Sequence, residues 1–188
     1  MSESLFFILG PAGVGKSTLA AALARNYRLL YLELDRERGK PSAADSLKPL
    51  WHDFSANGRA NGVAQSLRSQ AREAGTEGAV LSFPCHLVPG PRLIASALAQ
   101  GVTLVALYAS GAECLQSFVA RERLTGRKLG EGHWRRYNAQ SYALLSGSLY
   151  DPYRLQAFED GRHRDVATLA SEAWAKAGSP ERSQSRES

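Results

Sequence analysis

Apolar residues in this chain fall into short unbroken runs, separated by stretches in which they recur every three or four positions. Residues 5–9 (LFFIL), 29–34 (LLYLEL), 79–83 (AVLSF) and 102–108 (VTLVALY) are runs of strand length with hardly a polar interruption. Such runs predict strands buried on both faces. A shorter run at 155–158 predicts a fifth. Between them the helical period predicts helices over about 15–26, 111–124, 133–146 and 164–177. The helix at 111–124 turns Leu115, Phe118 and Val119 inward. Ser42 and Asp45 mark a helix start as cap and first-turn acid. Asn57-Gly58 and Asn61-Gly62 punctuate the chain before a helix carrying Val63, Leu67, Gln70, Ala71 and Ala74. Another helix follows Pro89-Gly90-Pro91 through Leu93, Ile94, Ala97 and Leu98, and Gly101 closes it. Alternating apolar strands and helices predict a three-layer α/β/α fold on a five-stranded parallel sheet. Residues 1–178 read as one domain, and the polar stretch 179–188, without an apolar anchor, as a disordered tail.

The first strand breaks into Gly10-Pro11-Ala12-Gly13-Val14-Gly15-Lys16-Ser17-Thr18, a G-x-x-x-x-G-K-[ST] phosphate-binding loop. A buried strand before it and an uninterrupted helix after it supply the structural setting the motif requires. Backbone N–H groups from Gly10, Ala12, Gly13, Val14 and Gly15 would converge on phosphate oxygens, with the helix N-terminus adding partial positive charge. Lys16 would reach the outer phosphates, the Ser17 hydroxyl would ligate Mg²⁺, and Thr18 would complete the cradle. ATP and Mg²⁺ are the cofactors this predicts.

Composition narrows the setting without changing the fold. With 44% hydrophobic and 22% charged residues, the 188-residue chain is of ordinary globular type, not a low-complexity one. The apolar run at 5–9 is too short for a secretion signal, and no run reaches the ~20 residues needed to cross a bilayer. Cys85 and Cys114 have no metal-ligand spacing and read as reduced core thiols. A cytoplasmic protein with no membrane partner is the expectation. The net charge of +5 is concentrated, since residues 121–136 hold six basic side chains against two acidic ones. A local cluster of that kind in a phosphate-binding chain suits a triphosphate better than a nucleic-acid backbone.

Mg²⁺ needs a carboxylate near the loop. The third and fourth predicted strands end without one, whereas the second ends in Glu33 and Asp35. Two residues apart on a strand, both point to the same face at the carboxyl edge of the sheet. This placement resembles the P-loop small-molecule kinases of the shikimate kinase and gluconate kinase group, which close strand two with an acidic pair. The resemblance implies that Glu33 is the acid on the metal side, and that Asp35 binds the acceptor hydroxyl and can serve as its base. These kinases also carry an arginine-rich lid after the helix of strand four, here about residues 121–136. Arg121 or Arg123 would then stack on the base and Arg127 would contact the phosphates, with Gly126, Gly130 and Gly132 lending the lid freedom to move. By this resemblance Lys16, Asp35 and Arg127 form the catalytic set.

The acceptor side is less defined. Lys48, Trp51, His52, Asp53 and Arg59 fall in the substrate-cap region, where Trp51 and Phe54 suit packing on one helix face. Arg135, Arg136, Asn138, Gln140 and Tyr142, after the lid, offer further acceptor contacts. Where shikimate kinases have a Gly-Gly-Gly run, this chain has Phe83-Pro84-Cys85-His86, which argues against a shikimate acceptor. Cys85 and His86 would point to opposite sides of an extended chain and do not form a catalytic pair. The expected activity is ATP-dependent phosphoryl transfer to a hydroxyl of a small molecule. A nucleoside, nucleotide or nucleic-acid 5′-hydroxyl kinase is the alternative within the class. A nucleotide-controlled switch or assembly ATPase is the contrasting one. No asparagine begins an N-K-x-D base-reading segment, which disfavours a GTPase.

Overall fold

Five consecutive fully buried residues, Leu5 to Leu9, form the centre of the molecule. In the computed structural model, which describes residues 3–34, 47–84, 89–126 and 129–178, they belong to β1 (Ser4–Leu9). β2 (Leu29–Glu33), β3 (Gly78–Ser82), β4 (Val102–Tyr108) and β5 (Arg154–Gln156) join it in one parallel sheet of order β2-β3-β1-β4-β5. Side chains alternate across the sheet. Leu5, Phe7 and Leu9 enter one apolar cluster and Phe6 and Ile8 the other. Both faces are therefore covered, which is why the strand sequences show almost no polar positions.

On one face lie α2 (Lys48–Asn57), α3 (Asn61–Glu73) and α4 (Pro91–Ala99), contributing Trp51, Phe54, Leu67 and Ile94 to the core. The other face is covered by α1 (Lys16–Tyr27), α5 (Gly111–Leu124) and α7 (Val166–Gly178) through Leu19, Leu23, Phe118 and Leu169. α6 (Glu131–Ser146) serves both, sending Leu145 to the first cluster and Trp134 to the second. A 3-10 helix, Ser148–Tyr153, leads from it into β5. Among the described residues no helix is long and apolar enough to cross a membrane.

Local chemistry sets the helix boundaries. A capping box opens α5: the Glu113 N–H donates to Ser110 Oγ and the Glu113 carboxylate accepts from the Ser110 N–H. Pro91 after Gly90 opens α4 where a missing N–H costs nothing. On α5, Cys114, Phe118 and Glu122 form the buried stripe, while Leu115 and Val119 are partly covered.

Several expectations are corrected. Asn61-Gly62 does not make a turn but opens α3, and the preceding Ala60 N–H is taken by Ser96 Oγ at 2.7 Å. The fifth strand stops at Gln156 rather than reaching residue 158, and the chain turns out of the sheet there. β6 (Phe158–Glu159) and β7 (Arg162–His163) pair as an antiparallel hairpin through Asp160 and Gly161, at φ +50° and +71°. Positive φ at both central residues is the twist a two-residue hairpin requires. The helix start expected at Ser42 and Asp45 lies outside the described residues, as does the tail at 179–188.

Candidate active site

The chain leaves β1 into residues 10–15 and then enters α1, so the phosphate-loop sequence is a strand-to-helix turn at the carboxyl edge of the sheet. β1 connects through α1 toward β2, while β3 connects across β1 to β4. Ligands of open α/β sheets bind at such a reversal. Gly13 and Gly15 adopt φ +89° and +97°, values that side-chain-bearing residues rarely reach. Gly13 also lies against α5, where a Cβ would stand 2.2 Å from the Cys114 carbonyl oxygen. Val14 is buried in the core, and Gly10 packs beside Leu107 of β4. Lys16 Nζ donates to the Pro11 carbonyl at 3.1 Å, which folds the lysine back over the loop.

The loop borders a cavity of about 580 Å³, within the range of small-ligand sites. Gly13 through Leu19 form one wall, Ser117 and Arg121 of α5 a second, and His163, Arg164, Val166 and Leu169 the third. Arg121 lies over the Phe118 ring at 5.3 Å and its Nη2 donates to buried Glu122 at 2.7 Å, which fixes its guanidinium on the cavity side of α5. Arg123 is exposed and is not part of the wall. Arg121 and Arg123 thus belong to the last turns of α5, and residues 131–136 to the first turns of α6. Arg127, between the two helices, lies outside the described residues.

At the end of β2, Ser17 Oγ donates to Glu33 Oε1 at 2.6 Å. The two side chains expected on the metal side are therefore in direct contact. Asp35 lies outside the described residues. Next to Glu33 in register is Ser82 at the end of β3, itself in register with Ile8 of β1. Ser82 is 1% exposed and its Oγ has no hydrogen-bond partner. A buried hydroxyl without a partner carries a desolvation cost that a ligand or ordered water would remove. Among the described residues no three His, Cys, Asp or Glu side chains cluster as a metal cage. One carboxylate and two hydroxyls fit Mg²⁺ instead, which keeps most of its waters and takes phosphate oxygens.

Two functional candidates were missed by the sequence reading. Ser82 is a lone polar residue in an apolar strand, and only the sheet register brings it to Glu33. His163 comes from the hairpin. Its Nε2 lies 3.0 Å from Ser117 Oγ and its ring packs on Phe158, tilted by 41°, with centroids 4.0 Å apart. A Cβ on Gly15 would meet the His163 ring at 3.6 Å, so the imidazole covers the end of the phosphate loop. Burial holds its pKa below the usual histidine range, against the opposing pull of Glu113. The signal was available in Asp160-Gly161, a hairpin dipeptide.

The candidates on the acceptor side separate. Trp51 and Phe54 pack edge to face at 4.9 Å in the core, together with Phe83. The Trp51 Nε1 is buried without a partner. Lys48, His52, Asp53 and Arg59 are exposed. On α6, Arg135 pairs with Glu131, Gln140 is exposed, and Tyr142 lies 3.1 Å from the Tyr108 hydroxyl. Asn138 does not face solvent: it is 1% exposed and accepts from the Ala12 N–H at 2.7 Å, which corrects the expectation that this N–H points at phosphate. Cys114 is a buried free thiol, and burial pushes its pKa up to about 12. Cys85 and His86 lie outside the described residues.

No family model matches the sequence, and no curated protein does. Solved structures do match in fold. A sugar kinase from Janibacter sp. HTCC2649 aligns with a TM-score of 0.53 at 15% identity, over 94% of this chain and 95% of its own. Similar too are a gluconokinase from Sinorhizobium meliloti 1021 (TM-score 0.50, 14% identity, 93% and 91% covered) and a shikimate kinase from Acinetobacter baumannii (TM-score 0.50, 16% identity, 92% of each chain). The fold is that of the P-loop kinases, in line with the resemblance read from the sequence.

Proposed function

We propose that the protein is an ATP-dependent phosphotransferase that moves the γ-phosphoryl group of ATP to a hydroxyl of a small molecule. The observation that carries this reading is the Ser17–Glu33 contact at 2.6 Å, which joins the phosphate loop to the acidic end of β2. A motor or switch needs the loop, but a carboxylate from β2 beside it suits a site that holds donor and acceptor together. The kinase folds of the gluconokinase, sugar kinase and shikimate kinase structures support the same class.

In the proposed reaction the acceptor oxygen forms a bond to the γ-phosphorus as the bond to the β–γ bridging oxygen breaks, releasing ADP. Catalysis of such a transfer is positioning and charge neutralisation. Lys16 turns from the Pro11 carbonyl to the outer phosphates. Ser17, Glu33 and Ser82 would hold Mg²⁺ with its waters, which would supply neutralisation of phosphate charge. Asp35 orients the acceptor hydroxyl and takes its proton, and Arg127 closes over the phosphates. The adenine would lie between Arg121 and the His163 hairpin, which line the same cavity as the loop.

The test is ADP release measured with ATP and a panel of sugars, hydroxy acids, nucleosides and aminoglycoside-like compounds. One acceptor class should raise turnover sharply, and Asp35→Asn should lower acceptor-dependent kcat/KM by about two to four decades while sparing ATP binding. Hydrolysis indifferent to every hydroxylated compound would overturn the proposal in favour of a switch or assembly ATPase.

A further inference from the structure

Ala12, the third residue of the phosphate loop, has both of its backbone polar groups bound by a single helix. Its N–H donates to Asn138 Oδ1 at 2.7 Å, and its carbonyl accepts from Trp134 Nε1 at 2.9 Å. Asn138 and Trp134 lie one turn apart on α6, and the Asn138 Nδ2 donates to the Trp134 carbonyl at 3.0 Å. Both side chains are buried, at 1% and 5% exposure. The asparagine therefore uses its amide oxygen for the loop and its amide nitrogen for its own helix, which fixes the amide orientation. An asparagine in mid-helix is ordinarily an unfavourable choice, and burying it adds a desolvation cost. Neither cost is needed for the fold of α6 itself, whose Trp134 and Leu145 already anchor it to both clusters.

The next residue is held by a second helix, α5. A Cβ on Gly13 would fall 2.2 Å from the Cys114 carbonyl oxygen and 2.8 Å from the Phe118 nitrogen, so the loop backbone rests directly on α5. Consecutive loop residues are thus fixed between two helices, by hydrogen bonds at Ala12 and by close packing at Gly13. Resting on the reading of residues 10–18 as a nucleotide loop, we propose that Asn138 and Trp134 are positioning residues that hold this loop in its phosphate-accepting shape before nucleotide arrives. A glycine-rich loop left free would have to be ordered by its ligand, which weakens binding. Here the cost of ordering falls on folding instead. The two side chains touch the loop backbone and act on phosphate only through it.

Two variants separate positioning from mere packing. Asn138→Leu keeps the volume and removes both hydrogen bonds, and Trp134→Phe keeps an aromatic ring but removes the indole N–H together with part of the buried ring system. Hydrogen exchange of the free protein should show residues 10–15 exchanging about tenfold faster in Asn138→Leu, with protection restored at saturating ADP. Calorimetric titration with ADP alone, well below the melting temperature, should give a Kd weaker by about five- to twentyfold in Asn138→Leu and about two- to fivefold in Trp134→Phe. Unchanged loop exchange and ADP affinity in both variants, with or without a lower Tm, would overturn the inference. If Asn138→Leu fails to fold, Trp134→Phe decides it by the same two measurements. Failure of the wild type to bind ADP would defeat the nucleotide reading instead, and loop exchange in the variants would still decide whether these side chains hold the loop.

Discussion

Around β1 the carboxyl edge of the sheet is made of backbone, whereas at the ends of β2 and β3 it is made of side chains. The phosphate loop is fixed through main-chain atoms at Ala12 and Gly13, and Gly15 lies under the His163 ring. Glu33 and Ser82, on the other side, present polar atoms from the side chain, and that of Ser82 has no partner. A backbone cradle suits a ligand whose shape never varies, and a triphosphate is one. Side chains at the ends of β2 and β3 suit the metal ion of the proposed reaction, and the unpartnered Ser82 hydroxyl is a polar atom that such a ligand or its water would satisfy.

The contrast is broken most severely at Lys16, the cationic side chain of the loop, which in the proposed reaction turns from the Pro11 carbonyl to the phosphates. Lys16→Ala should lower kcat/KM for ATP by about a thousandfold while leaving the Tm within a few degrees, as followed by ADP release and a thermal melt. Turnover that survived the change would remove the donor role from this half of the edge. A smaller effect is expected at the side-chain half. Glu33→Gln should raise the Mg²⁺ concentration giving half-maximal rate by about tenfold or more, and Ser82→Ala by about two- to fivefold. A Mg²⁺ titration that coincides with wild type for both would place the ion elsewhere.

Legibility followed the same division. Residues 10–18 were readable because a phosphate loop is a local object, set by glycine spacing between one strand and one helix. The strands were readable because burial on both faces removes polar positions from them, and residues 102–108 and 111–124 match β4 and α5 residue for residue. Ser82 was invisible for the opposite reason, since its value lies in the register that pairs it with Glu33 across 48 intervening positions of sequence. Asn138 could be noticed as polar, but only packing shows that it faces the loop and not the acceptor. His163 depends on the hairpin that carries it out of the sheet after β5.

The smallest effect on turnover belongs to Cys114, whose carbonyl supports Gly13 while its thiol points into the core. Alkylation needs the thiolate, and a pKa near 12 leaves far less of it than an ordinary cysteine has. In a Cys85→Ser background, the alkylation rate should keep climbing about tenfold per pH unit through pH 10, and activity at pH 7.5 should be untouched. A rate that levels off near pH 8.5 would show an ordinary exposed thiol and a looser seat for the loop.

The hairpin also has a meaning for the order in which the protein is made. β1 precedes β3 and β4 along the chain yet lies between them in the sheet, and the cavity beside its loop gains its third wall only with His163, Val166 and Leu169. A growing chain therefore carries the loop motif well before it can close the cavity. A ligand of this cavity would then favour chains in which α7 has docked over those in which it has not.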